Sequence, residues 1–117
     1  MRRNRHFADM NDILQASIDQ AVKNLVQTLK PRQVYLFGSC ANGEPTEESD
    51  IDLLVVVPDE AGDKLANTRM AYQATRDLPF PKDIIVDCES VFQKRSKWVS
   101  SIEREVLETG ILLYGQS

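Results

Sequence analysis

Residues 34–57 read VYLFGSCANGEPTEESDIDLLVVV, and the fold turns on this stretch. A short apolar run, Val34 to Phe37, breaks at Gly38-Ser39. A polar turn region, Cys40 to Ser49, holds Gly43 and Pro45 and leads into Ile51 to Val57, which is aliphatic except at Asp52. A run of that kind fits a strand buried on both faces, and so a place in the middle of a sheet. Its oddity is Asp50-Ile51-Asp52. On a strand, residues i and i+2 point to the same side, so the two carboxylates stand together while Ile51 turns into packing. Two such charges ~4 Å apart repel by roughly 4 kcal/mol at a surface-like dielectric. Raised pKa values relieve the repulsion, as in a proton-sharing pair. A divalent cation relieves it better, and hard oxygen ligands suit magnesium or manganese. A lone Asp-x-Asp more often only caps a turn at an exposed strand end; its neighbours give this one more weight.

The first of these is Gly38-Ser39, placed directly after a strand. Glycine lets the backbone approach a ligand closely, and the following amides and the Ser39 hydroxyl can donate to phosphate oxygens. The pair alone is a common strand exit. No Gly-x-x-x-x-Gly-Lys-Ser/Thr occurs, which excludes a P-loop. The second neighbour is another apolar strand with acids on it, Lys82 to Asp87, on which Asp83, Ile85 and Asp87 share one face. If it lies beside the Asp50–Asp52 strand, Asp83 completes a three-carboxylate site able to hold two cations, or acts as the base for an acceptor proton. Asp87 is the runner-up for that place. The plain alternative is that Asp83 is a solvated strand start beside Lys82.

Further out, Asp9 to Leu29 predicts an amphipathic helix. Leu14, Ile18, Val22, Leu25 and Leu29 recur at three- and four-residue steps, and Asp12, Gln15, Asp19, Lys23 and Gln27 lie opposite. Pro31 stops it. The preceding residues 1–8 read as a frayed terminus. Lys64 to Arg76 predicts a second helix. Ser90-Val91-Phe92-Gln93 has capping-box spacing and predicts a third helix to about Glu108, with a break near Ser100-Ser101 and Gly110 just past its end. Phe92, Trp98 and Val99 on that helix read as core residues before interface anchors. Ile111 to Tyr114 predicts a last short strand or a docked tail. The order of elements gives the α/β (α+β) class, as one domain over residues 1–117.

With 117 residues, 42% hydrophobic and 27% charged, the chain has the composition of an ordinary globular domain. Its net charge of −4 argues against long nucleic acid as a partner, while small anionic ligands remain open where a metal supplies local positive charge. No apolar run reaches a membrane span, and the basic start leads into no apolar signal core. Cys40 and Cys88 match no metal-ligand spacing and read as free thiols of a reducing, cytoplasmic compartment. Cys40 has no base to activate it, because the single histidine is the terminal His6.

Gly-Ser, ten intervening residues and then Asp-x-Asp resembles the DNA polymerase β-like nucleotidyltransferases. The strands before and after, and the later strand aspartate, fit as well. The small size resembles the minimal (MNT) branch. That resemblance, which covers residues 34–114, implies a polymerase β-like core, a mixed β-sheet flanked by helices, and transfer of a nucleoside monophosphate from a triphosphate, with ATP favoured. By position, Gly38 and Ser39 would hold the β- and γ-phosphates. Asp50 and Asp52 would ligate two magnesium ions, with manganese as the other fitting metal, and Asp83 would ligate the catalytic ion and help activate the acceptor. It also implies a protein partner of the HEPN-type RNase toxin class, the chain acting as its antitoxin. Cys40 and Asn42 stand where many relatives carry arginines, which bears on nucleotide affinity and leaves the carboxylates intact. The alternative is a non-catalytic module that keeps the fold and binds nucleotide or a partner.

Overall fold

The structure, a computed structural model, describes residues 2–41 and 50–116, with side chains from Asp12 onward. The turn residues Asn42, Gly43, Pro45 and Ser49 lie outside the described residues. In chain order the elements are α1 (Arg2–Leu29), β1 (Gln33–Phe37), β2 (Ile51–Val57), a 3-10 turn (Asp59–Ala61), α2 (Lys64–Ala74), β3 (Lys82–Cys88), α3 (Glu89–Arg95), α4 (Ile102–Thr109) and β4 (Ile111–Gly115).

The four strands form one sheet in the order β3-β2-β1-β4. β1 pairs antiparallel with both β2 and β4, and β2 pairs parallel with β3, so the sheet is mixed. The aliphatic β2 is central, with every residue buried except Asp52. Alternation along β2 divides the core in two. Ile51, Leu53, Val55 and Val57 face α1 and α2, where Ile18, Ala21, Leu25 and Ala71 meet them. Leu54 and Val56 face the α3–α4 side with Tyr35, Phe37, Phe92 and Val106. Tyr35 stacks on Phe92 with ring centroids 5.6 Å apart, which ties α3 to the sheet.

In the helical stripe of α1, Ile18, Leu25 and Leu29 are buried and Leu14 and Val22 partly so, on the face its spacing predicts, and the helix starts at Arg2, ahead of Asp9. An Asn24 side-chain amide donates to the Ala74 carbonyl at 3.0 Å and pins α1 to the end of α2. Asp63 caps α2 by accepting from the Ala66 amide at 3.0 Å.

The predicted third helix is two helices. Ser101 begins α4, its hydroxyl accepting from the Arg104 amide at 3.0 Å. The capping box at Ser90 does not form: α3 starts at Glu89, and the Ser90 amide is met from outside by Asp59 Oδ1 at 2.9 Å. A carboxylate reaching in from the 3-10 turn replaces the local cap, and that amide holds the Asp59 carboxyl below its usual range. Phe92 is core, but Trp98 and Val99 are 50% and 89% exposed. They lie in the turns after α3, where no sheet face reaches them.

Candidate active site

Strand direction gathers the site. Because β1 and β2 are antiparallel, the end of β1 lies beside the start of β2; because β2 and β3 are parallel, their starts lie side by side. Phe37 is opposite Asp52, and Asp52 is opposite Asp83. Residues paired in this way share a face, so the Asp52 and Asp83 carboxylates leave the same side of the sheet. Asp50 joins them from two residues upstream, while Ile51 is 3% exposed and packed on the opposite face. Gly38 follows Phe37 directly, so three segments distant in sequence meet at one end of the sheet. Asp87 pairs with Val56, a full four residues further along β3, and is 1% exposed. It is not part of this cluster.

Gly38 has φ +78°, a left-handed conformation that side chains rarely adopt. A Cβ built there would run into the Asp52 carboxylate. The glycine therefore does two things: it turns the chain and leaves room for Asp52. The Ala41 amide closes the turn onto the Gly38 carbonyl at 3.1 Å, and Ser39 is exposed at its corner.

The site is electrostatically loaded. The Asp52 pKa is raised, first by burial, then by Asp83, Asp50 and Glu105. Glu105, from α4, is an acid that sequence reasoning missed. Nothing in its pattern sets it apart from the other glutamates of that helix; it reaches the site because α4 packs on β1. Gly110 permits that packing: a Cβ there would meet Val106 O at 2.5 Å and Leu36 O at 3.0 Å. It stands just past the end of α4 as the sequence placed it, and its extended backbone there serves close approach. Tyr72 is a second omission. Its hydroxyl lies 3.3 Å from Asp83 Oδ1.

Cys40 does not take the place of a phosphate-binding arginine. Its thiol donates to the Asp50 carbonyl at 3.4 Å. Burial, then Asp52, push the thiol pKa up, which keeps it protonated and without nucleophilic use.

Among the described residues, no three His, Cys, Asp or Glu side chains stand close enough to enclose a metal ion by themselves. The donor set is nevertheless the right chemistry for a hard divalent ion that completes its shell with water and phosphate oxygens. Among the described residues no helix is long and apolar enough to cross a membrane.

Comparison with known proteins agrees with this geometry. The nucleotidyltransferase domain family matches residues 18–113. A Methanocaldococcus jannaschii protein, named by inference as a protein adenylyltransferase, is 35% identical, with 82% of this chain and 97% of that protein aligned. Two solved structures share the fold. One is a toxin–antitoxin complex with AMP-PNP, 24% identical with a TM-score of 0.59 over 83% of this chain and 73% of that one. The other is a tyrosine-to-alanine mutant of the toxin–antitoxin MntA-HpeT, 26% identical with a TM-score of 0.60 over 85% of this chain and 72% of that one. These likenesses support the enzyme reading over the non-catalytic module. The chain belongs to the nucleotidyltransferase family, as a minimal nucleotidyltransferase with a polymerase β-like core.

Proposed function

We propose that the domain transfers AMP from ATP to a hydroxyl group of a partner protein, using Asp50, Asp52 and Asp83 with two divalent ions, magnesium before manganese. The observation that carries this reading is the register of β2 and β3, which sets Asp83 against Asp52 beside the Gly38 turn. The name of the relative at 35% identity favours AMP over other nucleotides. The toxin–antitoxin neighbours favour a protein as acceptor, here a HEPN-type toxin with this chain as its antitoxin.

In this scheme the Gly38-Ser39 turn holds the β- and γ-phosphates through backbone amides and the Ser39 hydroxyl. Asp50 and Asp52 would hold the two ions, with Asp83 completing the ligand set. When bound there, divalent ions would supply positive charge against the triphosphate and the charge that develops on the attacking and leaving oxygens. The acceptor oxygen forms a bond to the α-phosphorus as the bond between that phosphorus and the bridging oxygen breaks. Pyrophosphate leaves with the bonding pair, and Asp83 receives the acceptor proton. The raised pKa of Asp52 fits the scheme, because crowded carboxylates gain most from a cation.

Thermal unfolding tests it. Each of ATP, GTP, CTP and UTP is added with and without magnesium, to wild type and to Asp50→Ala/Asp52→Ala. A ligand at ~100 times its dissociation constant stabilises by about 2.7 kcal/mol, which raises the midpoint by several degrees. The expected rise needs both magnesium and ATP and is absent in the double variant. A rise with nucleotide alone that survives in the double variant would remove the carboxylates from the site.

A further inference from the structure

Asp83 stands exposed at the start of β3, an edge strand. A carboxylate in that position rotates freely unless something holds it, and functional groups need supporting hydrogen bonds to stay in a productive geometry. Tyr72 supplies one. It lies on α2, near the end that leads into the β3 loop. Its hydroxyl oxygen accepts the Ile84 amide at 2.9 Å, and the same oxygen is 3.3 Å from Asp83 Oδ1. An ionised carboxylate only accepts, so the shared proton is the tyrosine's. Both hydrogen-bonding capacities of the hydroxyl are thereby committed: one anchors it to the backbone of the residue after Asp83, and the other is aimed at Asp83.

The anchor explains why the contact is directional. β3 pairs with β2 on one side only, so on its other side backbone amides look outward. The Tyr72 oxygen fills the place of a strand partner for Ile84 and is held at the sheet edge by a backbone donor. From there its proton fixes one Asp83 oxygen and leaves Oδ2 without a hydrogen bond among the described residues.

We infer that Tyr72 is a positioning residue for the metal-binding carboxylate Asp83, holding Oδ1 toward α2 so that Oδ2 is presented to the cation. The inference rests on the role proposed for Asp83 above. Outer hydrogen-bond partners of ligating carboxylates typically change metal affinity or activity about 10- to 100-fold.

The test is Mn2+ binding in the presence of ATP, read as free Mn2+ by electron paramagnetic resonance. Wild type, Tyr72→Phe and Asp83→Asn are compared, with melting midpoints measured alongside. Tyr72→Phe keeps the ring and removes the hydroxyl; Tyr72→Leu serves as the second variant if the first melts early. The expected result is Mn2+ affinity reduced about tenfold in Tyr72→Phe and more in Asp83→Asn. At saturating Mn2+, kcat returns close to wild type and the KM for ATP is unchanged, a split that a merely structural defect would not give. Wild-type Mn2+ affinity in Tyr72→Phe, with Asp83→Asn impaired, would overturn the inference and leave the role of Asp83 standing. Wild-type affinity in Asp83→Asn would remove both.

Discussion

At the residue scale, Gly38 has the least freedom to change. An alanine there meets two obstacles at once, the positive φ and the Asp52 carboxylate. Left-handed strain at a single residue costs about 1–2 kcal/mol, and the displaced Asp52 would no longer face Asp83. Gly38→Ala is expected to lower the melting midpoint by a few degrees and to reduce nucleotidyl transfer by about two orders of magnitude, the scale of a lost metal ligand; steady-state kinetics on folded protein would measure it. Asp87 offers a different prediction. It is buried beside Glu103, with Lys64 Nζ 3.4 Å from one oxygen, while the other finds a partner only when Asp87 is protonated and can donate to Glu103. Burial, then the Glu103 carboxyl, push its pKa up to about 6. Burial also acts to raise Glu103, but hydrogen bonds from Asp87 and from Arg95 at 3.0 Å outweigh it and hold that pKa down. Below about pH 6 the pair therefore holds its proton on Asp87. An unfolded aspartate releases its proton near pH 3.9, so between that value and about 6 the folded state binds more protons. The Asp87 contribution to stability thus falls as pH rises through this window and is flat above it. Relative to Asp87→Asn, wild type is expected to lose on the order of 1–3 kcal/mol between about pH 4 and pH 7 in urea unfolding. A constant difference across that range would contradict the shared proton.

At the scale of elements, sequence patterns were informative where one face of an element is decided by one partner. The 3.6-residue stripe of α1 and the aliphatic run Leu53–Val57 of β2 each have a single burial solution, and both are found as their patterns predict. Asp50, Asp52 and Gly38-Ser39 stood out for the same reason: charge and glycine interrupt segments otherwise fit for an interior. Glu105 and Tyr72 gave no such signal, because their place depends on how α4 lies on β1 and how α2 covers the β3 edge. The α3–α4 region was the least legible. Its capping box is displaced by Asp59, a residue far away in sequence, although the break that lets Ser101 cap α4 falls where the sequence placed it. Ser101→Ala is expected to cost about 1 kcal/mol, the usual value of an N-cap hydroxyl, and to lower the melting midpoint. Activity in the cold should stay within a fewfold of wild type, since the carboxylates sit on strands. A loss of activity without a loss of stability would show that α4, through Glu105, takes part in the chemistry.

At the scale of the whole molecule, a sheet with one parallel and two antiparallel pairings solves a geometric problem: it brings the end of β1 and the starts of β2 and β3 together at one end of the sheet. The α/β class could be read from the order of helices and strands, and the mixed sheet only through the family resemblance. The strand order could not, because it depends on β4 returning to pair with β1 after the α3–α4 pair is in place. The central claim is that this end of the sheet moves a nucleotide rather than a phosphate. The most direct measurement is label transfer from ATP carrying radioactive phosphorus at the α- or the γ-position, with magnesium, to the protein that co-purifies with this chain. The expected result is label on the acceptor from α-labelled ATP, none from γ-labelled ATP, and none of either with Asp52→Ala. Transfer of the γ-label, or α-label transfer that survives in Asp52→Ala, would contradict it.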